Sequence, residues 1–287
     1  MTDQYTRRGF LKKAYRLTIG AILASTFGYT YSRYIEPKQM EINHLDLLSP
    51  KIPKNFDGIR ILQFSDTHIG HYYDKKQFTK LIQKINELEP DLVLFTGDLI
   101  DAPHTYQGAN ELVPLLVSIN APLGKFSIYG NHDHGGYGTE TYKHIMDHSG
   151  FKLLMNSFES VTILDEQIVV AGLDDYMLGR PDFEQTLGDI EKGIFTIFLA
   201  HEPDVAKISH SYPIQVQLSG HSHGGQIQLP FYGPLVTPPF ATEYIEGFYK
   251  IGQEPLTLYV NRGLGTTRVP FRFLSKPEIT LFTLRKE

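Results

Sequence analysis

Aspartate, asparagine and histidine, all side chains that bind divalent cations, directly follow short apolar runs at five places in this sequence. The stretch SGHSHGGQIQLP, 219–230, follows the apolar run 214–218 and holds two histidines two residues apart. The full set, in chain order, is Asp66, His68, Asp98, Asn131, His201, His221 and His223. Because the chain has no cysteine, only nitrogen and oxygen could hold a metal. Seven such ligands are enough for two divalent ions that share a carboxylate, and they suit manganese or zinc, with iron also possible.

Each of these residues also has an explanation that requires no metal. Asp66 or Asp98 could cap a following helix, and Asn131 could form an Asx turn. A lone histidine such as His201 is commonly a hydrogen-bonded core or surface residue. The order D-x-H, G-D, G-N-H, His and G-H-x-H, with an apolar run before each motif, favours a metal site over these separate explanations.

The apolar runs that carry the motifs predict an α/β fold. Strands at 59–64, 92–95 and 125–129 alternate with helices at 74–89 and 112–119, which is the rhythm of βαβ units. Ligands of open α/β sheets bind beyond the carboxyl ends of the strands, where the motifs stand here. Further strands are predicted at 161–164, 168–173, 195–199, 214–218, 226–229, 257–260 and 279–284, and the segment 38–56 reads as a lead-in strand or linker. The sequence has no internal repeat, so 36–287 is expected to form one domain.

Residues 1–35 have the layout of an export signal. Arg7 and Arg8, in TRRGFLKKAY, precede a mildly apolar stretch at 17–31 and resemble a twin-arginine signal. The twin-arginine export machinery is then a partner, and the body works at the cell wall or on the outer face of the cytoplasmic membrane. No clean A-x-A cleavage site follows, so an uncleaved N-terminal membrane anchor is an alternative. A basic amphipathic helix that rests on the body is another.

The charge distribution argues against a dedicated nucleic-acid partner. The formal net charge is −5, and the first 35 residues hold six of the 27 Lys and Arg but only one of the 32 Asp and Glu. The body is therefore more acidic than the whole chain. An acidic body is poorly suited to neutralising a phosphate backbone.

In its ordered motifs the chain resembles the calcineurin-like metallophosphoesterases, which carry D-x-H, G-D, G-N-H-[DE], H and G-H-x-H in that order. The resemblance covers 66–223, with every signature position present. Together with the twin-arginine start, SDTH, GHSHGGQ and NRGLGTTRVPFRF resemble the exported, YkuE-like branch of that family. The resemblance implies a four-layer fold in which helices flank two mixed β-sheets, with a dimetal site at the carboxyl ends of the strands. It implies hydrolysis of phosphodiesters, phosphomonoesters or both at the cell envelope.

The resemblance also implies a role for each motif residue. One ion is expected on Asp66, His68, Asp98 and His223. The second is expected on Asp98, Asn131, His201 and His221, so that Asp98 bridges the pair. A hydroxide between the ions would attack phosphorus. His132 would be the catalytic residue that protonates the departing oxygen, and Asp133 either orients His132 or is a solvated loop carboxylate.

Two segments outside these motifs are candidates for substrate selection. Arg262, Arg268 and Arg272 lie in NRGLGTTRVPFRF, 261–273, and arginine forks match phosphate oxygens. Ion pairs with carboxylates on a neighbouring loop explain them equally well. The proline-rich LPFYGPLVTPPF, 229–240, is either a wall for a bulky or lipid-like group or a loop that covers the core.

Other functions remain open on the sequence. One is a membrane-associated pyrophosphatase that cleaves a nucleotide-linked sugar lipid of the UDP-diacylglucosamine type. Another is a non-catalytic cell-wall-binding protein, which would be expected to lack one or more ligands, and none is lacking here. A repair-type nuclease with the same dimetal core is disfavoured by the acidic body and the export signal.

Overall fold

Two mixed six-stranded β-sheets form the centre of the structure, a computed structural model that describes residues 7–134, 139–253 and 256–287. The first sheet contains, in spatial order, β1 (Glu41–Ser49), β14 (Glu278–Lys286), β2 (Arg60–Phe64), β3 (Leu92–Phe95), β4 (Lys125–Ser127) and β5 (Lys152–Leu153). The second contains β12 (Gly247–Ile251), β13 (Leu256–Val260), β9 (Val216–Ser219), β8 (Thr196–Leu199), β7 (Glu166–Gly172) and β6 (Ser157–Ile163). A two-stranded hairpin, β10 (Gln228–Leu229) with β11 (Gly233–Pro234), lies outside both sheets.

The inner strands of each sheet are parallel. In the first sheet β2, β3, β4 and β5 pair in parallel, while β14 runs antiparallel to β2. In the second sheet β7, β8, β9 and β13 are parallel, with β6 and β12 as antiparallel edges. The carboxyl ends of parallel neighbours lie at the same edge of their sheet, so the loops that follow these strands are brought together.

Three apolar clusters hold four layers together. In β3, Leu92 and Leu94 enter the cluster between the two sheets, while Val93 and Phe95 enter the cluster beneath the helices of the first sheet. This strand is apolar at every position because both of its faces are buried. A third cluster joins the second sheet to short helices on its other face. The prediction of two mixed sheets flanked by helices is confirmed.

The α-helices are α1 (Arg7–Thr30), α2 (Lys75–Glu87), α3 (Leu112–Val117), α4 (Asn131–His134), α5 (Thr139–Ser149), α6 (Phe183–Leu187) and α7 (Ala206–Ser209). Helix α2 shows how the sequence sets its bounds. Asp74 caps its amino end in a reciprocal capping box with Gln77. Phe78, Leu81 and Ile85 recur at helical spacing and are all buried against the first sheet.

Helix α1 buries no side chain against the body. It continues through a π-helical turn, Tyr31–Ile35, and a 3-10 turn, Glu36–Lys38, into β1. Residues 1–6 of the predicted signal lie outside the described residues. Within the described part of the chain, no helix combines the length and the apolar character that crossing a bilayer requires.

Candidate metal centre

All seven predicted ligands lie at one rim, where loops from both sheets meet. Asp66 and His68 follow β2, Asp98 follows β3 and Asn131 follows β4 in the first sheet. His201 follows β8, and His221 and His223 follow β9 in the second. The six carboxylate and imidazole residues are each at most 5% exposed. The structure therefore gathers into one buried cluster residues that are up to 157 positions apart in the chain.

The residues predicted for the first ion converge on a common point. His68 Nε2 lies 3.0 Å from His223 Nε2 and 3.4 Å from Asp98 Oδ2. Asp66 Oδ1 lies 3.5 Å from His223 Nε2 and 3.9 Å from His68 Nε2. Nitrogen lone pairs that face one another beside a carboxylate need a proton or a cation between them. The ligand atoms of Asp66, His68 and His223 are close enough to hold one ion.

The residues predicted for the second ion leave buried atoms without hydrogen bonds. His201 Nε2 lies 3.3 Å from Asp98 Oδ2, and ligand atoms of Asp98, His201 and His221 fall within 4.8 Å of one another. Within the described residues, His201 Nε2 and Asn131 Oδ1 are buried and have no hydrogen-bond partner. Buried polar atoms are normally paired, so these two atoms fit a site that a cation completes.

Hydrogen bonds to the opposite ring nitrogens fix which nitrogen of three of the histidines faces the site. His68 Nδ1 lies 3.1 Å from the Asp101 carboxylate, and His201 Nδ1 lies 2.6 Å from the Thr96 carbonyl. His221 Nε2 lies 2.9 Å from the Pro239 carbonyl. Because oxygen acceptors require N–H donors, the nitrogens left to face the site are Nε2 of His68, Nε2 of His201 and Nδ1 of His221. Metal-binding histidines are oriented by outer contacts of this kind.

The backbone at the rim adopts uncommon conformations. Five of the seven residues have positive φ, namely Asp66, His68, Asp98, His221 and His223, at 44–66°. Such values are rare for residues other than glycine and concentrate at functional sites. Gly220 is required by close approach, because a Cβ there would lie 2.1 Å from Ser65 Oγ and 2.3 Å from Asp66 Oδ2. The motif glycines therefore make room for the ligand side chains themselves.

Neither carboxylate caps the helix that follows it in the chain, which was the alternative explanation for each. Asp66 accepts the backbone N–H of His221, and Asp98 accepts the backbone N–H of His132. Each bond joins two motif loops that are distant in sequence. The carboxylates thus hold the rim together as well as facing its centre.

The charges of the cluster favour a cation. Burial opposes ionisation of Asp98, but the neighbouring His201 and His132 together take its pKa well below the usual value. Burial likewise opposes a charged His201, yet Asp98 and Asp66 raise its pKa well above the usual value. At His221, burial and the neighbouring His201 lower the pKa to about 3, so this ring is neutral, as a metal ligand must be. The ionised Asp98 carboxylate beside the neutral His221 ring suits a cation, which would take the place of the proton on His201 Nε2.

His132 lies at the edge of the cluster, and one of its ring nitrogens is hydrogen-bonded to the protein. Its Nδ1 donates to the Asp101 carbonyl at 2.7 Å, and its ring contacts that of His68 edge-on at 4.5 Å between centroids. The side chain is 27% exposed and lines the cavity over the site. Nε2 is therefore the nitrogen available for proton transfer.

Asp133 neither orients His132 nor lies in solvent, which were the two expectations for it. It is fully buried rather than solvated, and no hydrogen bond joins its carboxylate to the His132 ring within the described residues. Instead it accepts backbone N–H groups of Asp98, Leu99 and Gly130 at 2.6–3.0 Å. The carboxylate that follows G-N-H therefore ties the Asp98 loop to the Asn131 loop.

Asp101 contacts two of the predicted site residues and was not itself predicted from the sequence. Its carboxylate contacts His68 Nδ1, and its carbonyl accepts His132 Nδ1–H. It thereby orients one predicted ligand and the predicted acid. The available signal was a second aspartate three residues after Asp98 in GDLID, but one carboxylate in a loop is not specific.

The three candidate arginines have separate environments. Arg262 pairs with Glu278 and Glu41, which is the ion-pair alternative. Arg272 is fully buried and donates to the carbonyls of Gly265 and Ser275. Because groups of the protein itself pair with the guanidiniums of Arg262 and Arg272, neither is placed to contact substrate. Arg268 is exposed, lines the cavity, and has no hydrogen bond or ion pair to the described part of the chain.

A cavity of about 380 Å³ opens above the cluster and has two unlike sides. The polar side is formed by His68, Asp98, Asn131, His132, His221 and His223. The rest of the lining is largely apolar and includes Ile227, Leu235, Val236, Pro238, Pro239 and Val269. The second half of the segment 229–240 thus lines the cavity, and its Pro239 carbonyl also orients His221.

Comparison with known proteins identifies the family. The sequence profile described as Calcineurin-like phosphoesterase matches residues 59–225. The chain is 50% identical over 281 residues to a protein described as an uncharacterized metallophosphoesterase, YkuE, of Bacillus subtilis (strain 168), and the match covers 98% of each. It is 29% identical over 313 residues to the UDP-2,3-diacylglucosamine pyrophosphatase LpxG of Chlamydia muridarum (strain MoPn / Nigg), covering 91% of this chain and 94% of the relative. The crystal structure of TT1561 of Thermus thermophilus matches with a TM-score of 0.45 at 13% identity, covering 72% of this chain and 90% of that one. The chain therefore belongs to the calcineurin-like phosphoesterase family and is a hydrolase of phosphate esters, as its ordered motifs predict.

Proposed function

We propose that the protein is a dimetal phosphodiesterase and phosphomonoesterase of the cell envelope. The observation that carries the proposal is the convergence of imidazole nitrogens on two buried carboxylates, with the His68 and His223 Nε2 atoms 3.0 Å apart. Asp66, His68, Asp98 and His223 would hold one divalent ion. Asp98, Asn131, His201 and His221 would hold the other. Manganese or zinc suits this nitrogen and oxygen set best, and iron would also fit.

The chain's own groups position the substrate and move a proton. When bound, the ions would polarise phosphoryl oxygens and supply a nucleophilic water at neutral pH. Burial opposes a charged His132, but the neighbouring Asp98 raises its pKa above the usual value, so Nε2 can carry a proton as well as Nδ1. His132 then gives the Nε2 proton to the departing oxygen, while the Asp101 carbonyl accepts Nδ1–H. Arg268, on the cavity wall, attracts a second anionic group of the substrate.

The place of action is part of the same proposal. Residues 1–35 serve either as a twin-arginine signal or as an N-terminal membrane anchor, and 36–287 form the catalytic domain. Support comes from Arg7 and Arg8 ahead of an apolar stretch, and from α1, which buries nothing against the body. The domain then acts at the cell wall or on the outer face of the cytoplasmic membrane.

Hydrolysis of two chromogenic esters tests the activity. The purified chain should be stripped of metal, reloaded with Mn²⁺ or Zn²⁺, and assayed on bis-p-nitrophenyl phosphate and p-nitrophenyl phosphate. Turnover that requires metal supports an enzyme, and the ratio of the two rates ranks diester against monoester. A metal-loaded chain with no turnover would instead favour the non-catalytic cell-wall-binding alternative.

A second candidate is a pyrophosphatase that acts on a nucleotide-linked sugar lipid. It is favoured by the apolar part of the cavity lining, where Leu235, Val236 and Val269 share the cavity with the metal ligands. The likeness to a relative described as a UDP-2,3-diacylglucosamine pyrophosphatase supports the same class. Release of a nucleoside monophosphate from UDP-diacylglucosamine, at a higher kcat/KM than bis-p-nitrophenyl phosphate, would select this candidate.

A further inference from the structure

An exposed apolar surface lies at the mouth of the cavity, and its position indicates what it binds. We call it the apolar rim, defined as Leu229, Phe231, Tyr232, Leu235, Val236 and Val269. Phe231 is fully exposed, Tyr232 is 74% exposed and Val236 is 69% exposed. Contiguous apolar surface of this kind on a globular domain marks an interaction site.

The tip of the rim is held in place by hydrogen bonds. Phe231 and Tyr232 form the turn of the β10–β11 hairpin, whose strands pair at Gln228 with Pro234. A backbone bond of 2.8 Å from Gln228 N to the Phe273 carbonyl fastens the hairpin to the body. Phe231 itself adopts a φ of 67°, which is unfavourable for an aromatic residue. Neither packing nor turn geometry accounts for an aromatic side chain at this position.

The rim is continuous with the interior of the cavity. Leu235, Val236 and Val269 are at least 44% exposed and also line the apolar side of the cavity. Apolar side chains therefore extend from the hairpin tip into the cavity that the metal ligands also line. An acyl chain could follow this path while its phosphate reached the metal side.

Helix α1 indicates that the partner is a lipid surface rather than another protein. Its foot joins the body beside the hairpin, where Tyr31 packs against Phe273 and the Arg272 N–H donates to the Ser32 carbonyl at 2.9 Å. The helix contains no acidic residue and five basic ones. Its exposed apolar side chains include Phe10, Leu11, Leu17, Ile22, Leu23 and Phe27. Basic and apolar side chains together are the composition that binds anionic bilayers.

We propose that the apolar rim inserts into a bilayer with anionic headgroups, so that the cavity opens onto the membrane and receives a phosphate ester with an acyl chain from it. That the cavity receives such a substrate rests on the proposed function, whereas the insertion of the rim does not. Aromatic side chains such as Phe231 and Tyr232 are typical of membrane interfaces.

Tryptophan fluorescence tests the insertion directly, because the chain has no native tryptophan. Phe231→Trp in the full chain places a single reporter at the hairpin tip. Leu164→Trp is the matched control, since Leu164 is 84% exposed and also has positive φ, in the β6–β7 turn. That turn lies at the amino end of β7, opposite the metal site. Both variants are mixed with vesicles of phosphatidylglycerol and phosphatidylcholine whose acyl chains are brominated.

Emission at position 231 should be quenched at least about twofold, because interfacial side chains lie about 5–10 Å into the headgroup and acyl boundary. Emission at position 164 should remain unchanged. Bound protein with an unquenched reporter at 231, or no binding to the vesicles, would overturn the proposal. A blue shift at 231 without vesicles, together with dimer formation, would overturn it in favour of a second copy. If the reporter at 231 is quenched but the metal-loaded protein does not hydrolyse bis-p-nitrophenyl phosphate, insertion stands and the proposed function fails.

Discussion

The Asp133 carboxylate accepts the backbone N–H of Asp98 at 2.6 Å, so a residue after the G-N-H motif fixes the loop that carries the shared carboxylate. Asp133→Asn would turn an amide toward the N–H groups of Asp98, Leu99 or Gly130. We expect the free energy of unfolding of the metal-free protein to fall by about 1–3 kcal/mol, since a buried donor loses its acceptor. Urea denaturation of the metal-free protein measures this free energy of unfolding. Asp147→Asn, on the exposed face of α5, should change it by less than about 0.5 kcal/mol. Equal stability of the two variants would contradict the role given to Asp133.

His132→Ala tests the assigned acid. The variant should keep its metal, because His132 is not among the seven expected ligands, and should lose about 10²–10⁴ in kcat. The loss should grow as the leaving group becomes more basic, across a series of aryl and alkyl phosphodiesters. Metal content is measured alongside by mass spectrometry. His148→Ala, on the exposed side of α5, is the control and should match the parent. Unchanged turnover of alkyl esters by His132→Ala would remove this residue from the mechanism.

Asp101→Asn tests whether the Asp101 carboxylate orients His68 for metal binding. Exchanging the charged acceptor of His68 Nδ1–H for a neutral amide should weaken metal binding about 10–100-fold, which is the typical cost of changing an outer contact. Chelator competition measures the affinity. Asp165→Asn, in the exposed β6–β7 turn, should leave it unchanged. An Asp101→Asn protein that binds metal as tightly as the parent would show that the contact is not required.

Because Arg268 and Arg262 have different environments, we expect one to affect substrate binding and the other to affect stability. Arg268→Gln should raise KM about tenfold for substrates with a second phosphate, because a charge-assisted hydrogen bond contributes about 1.5 kcal/mol or more. Its KM for p-nitrophenyl phosphate should not change. Arg262→Gln should instead lower stability by roughly 2–3 kcal/mol, since it leaves the buried Glu278 without its cation. The reverse pattern, with Arg262 acting on KM and Arg268 on stability, would contradict the placement described here.

The sequence predicted the strands that precede the motifs because their signal is local. The apolar runs at 92–95 and 59–64 coincide with β3 and, within one residue, with β2. The strand predicted at 125–129 ends at Ser127, where the chain turns toward Asn131. The segment 38–56 contains β1, whose parallel partner β14 is 237 positions further along the chain at Glu41 and Glu278. Pairing over that distance leaves no local pattern, so strand and linker could not be distinguished.

The candidate site was predictable as a set of residues but not as a set of contacts. Motif order alone named the residues that converge at the rim. The bond from Asp98 N–H to Asp133 and the contact of His68 with Asp101 each join positions more than 30 residues apart. Whether an arginine faces a glutamate or a cavity likewise depends on the tertiary fold. Family resemblance, not periodicity, predicted the two facing sheets.

Two ions that share Asp98 are the central expectation for this site, and anomalous diffraction from crystals of the metal-loaded protein tests it most directly. We predict two anomalous peaks about 3.5–4 Å apart. One should lie among Asp66, His68, Asp98 and His223. The other should lie among Asp98, Asn131, His201 and His221. A single peak, or peaks away from these side chains, would contradict the account.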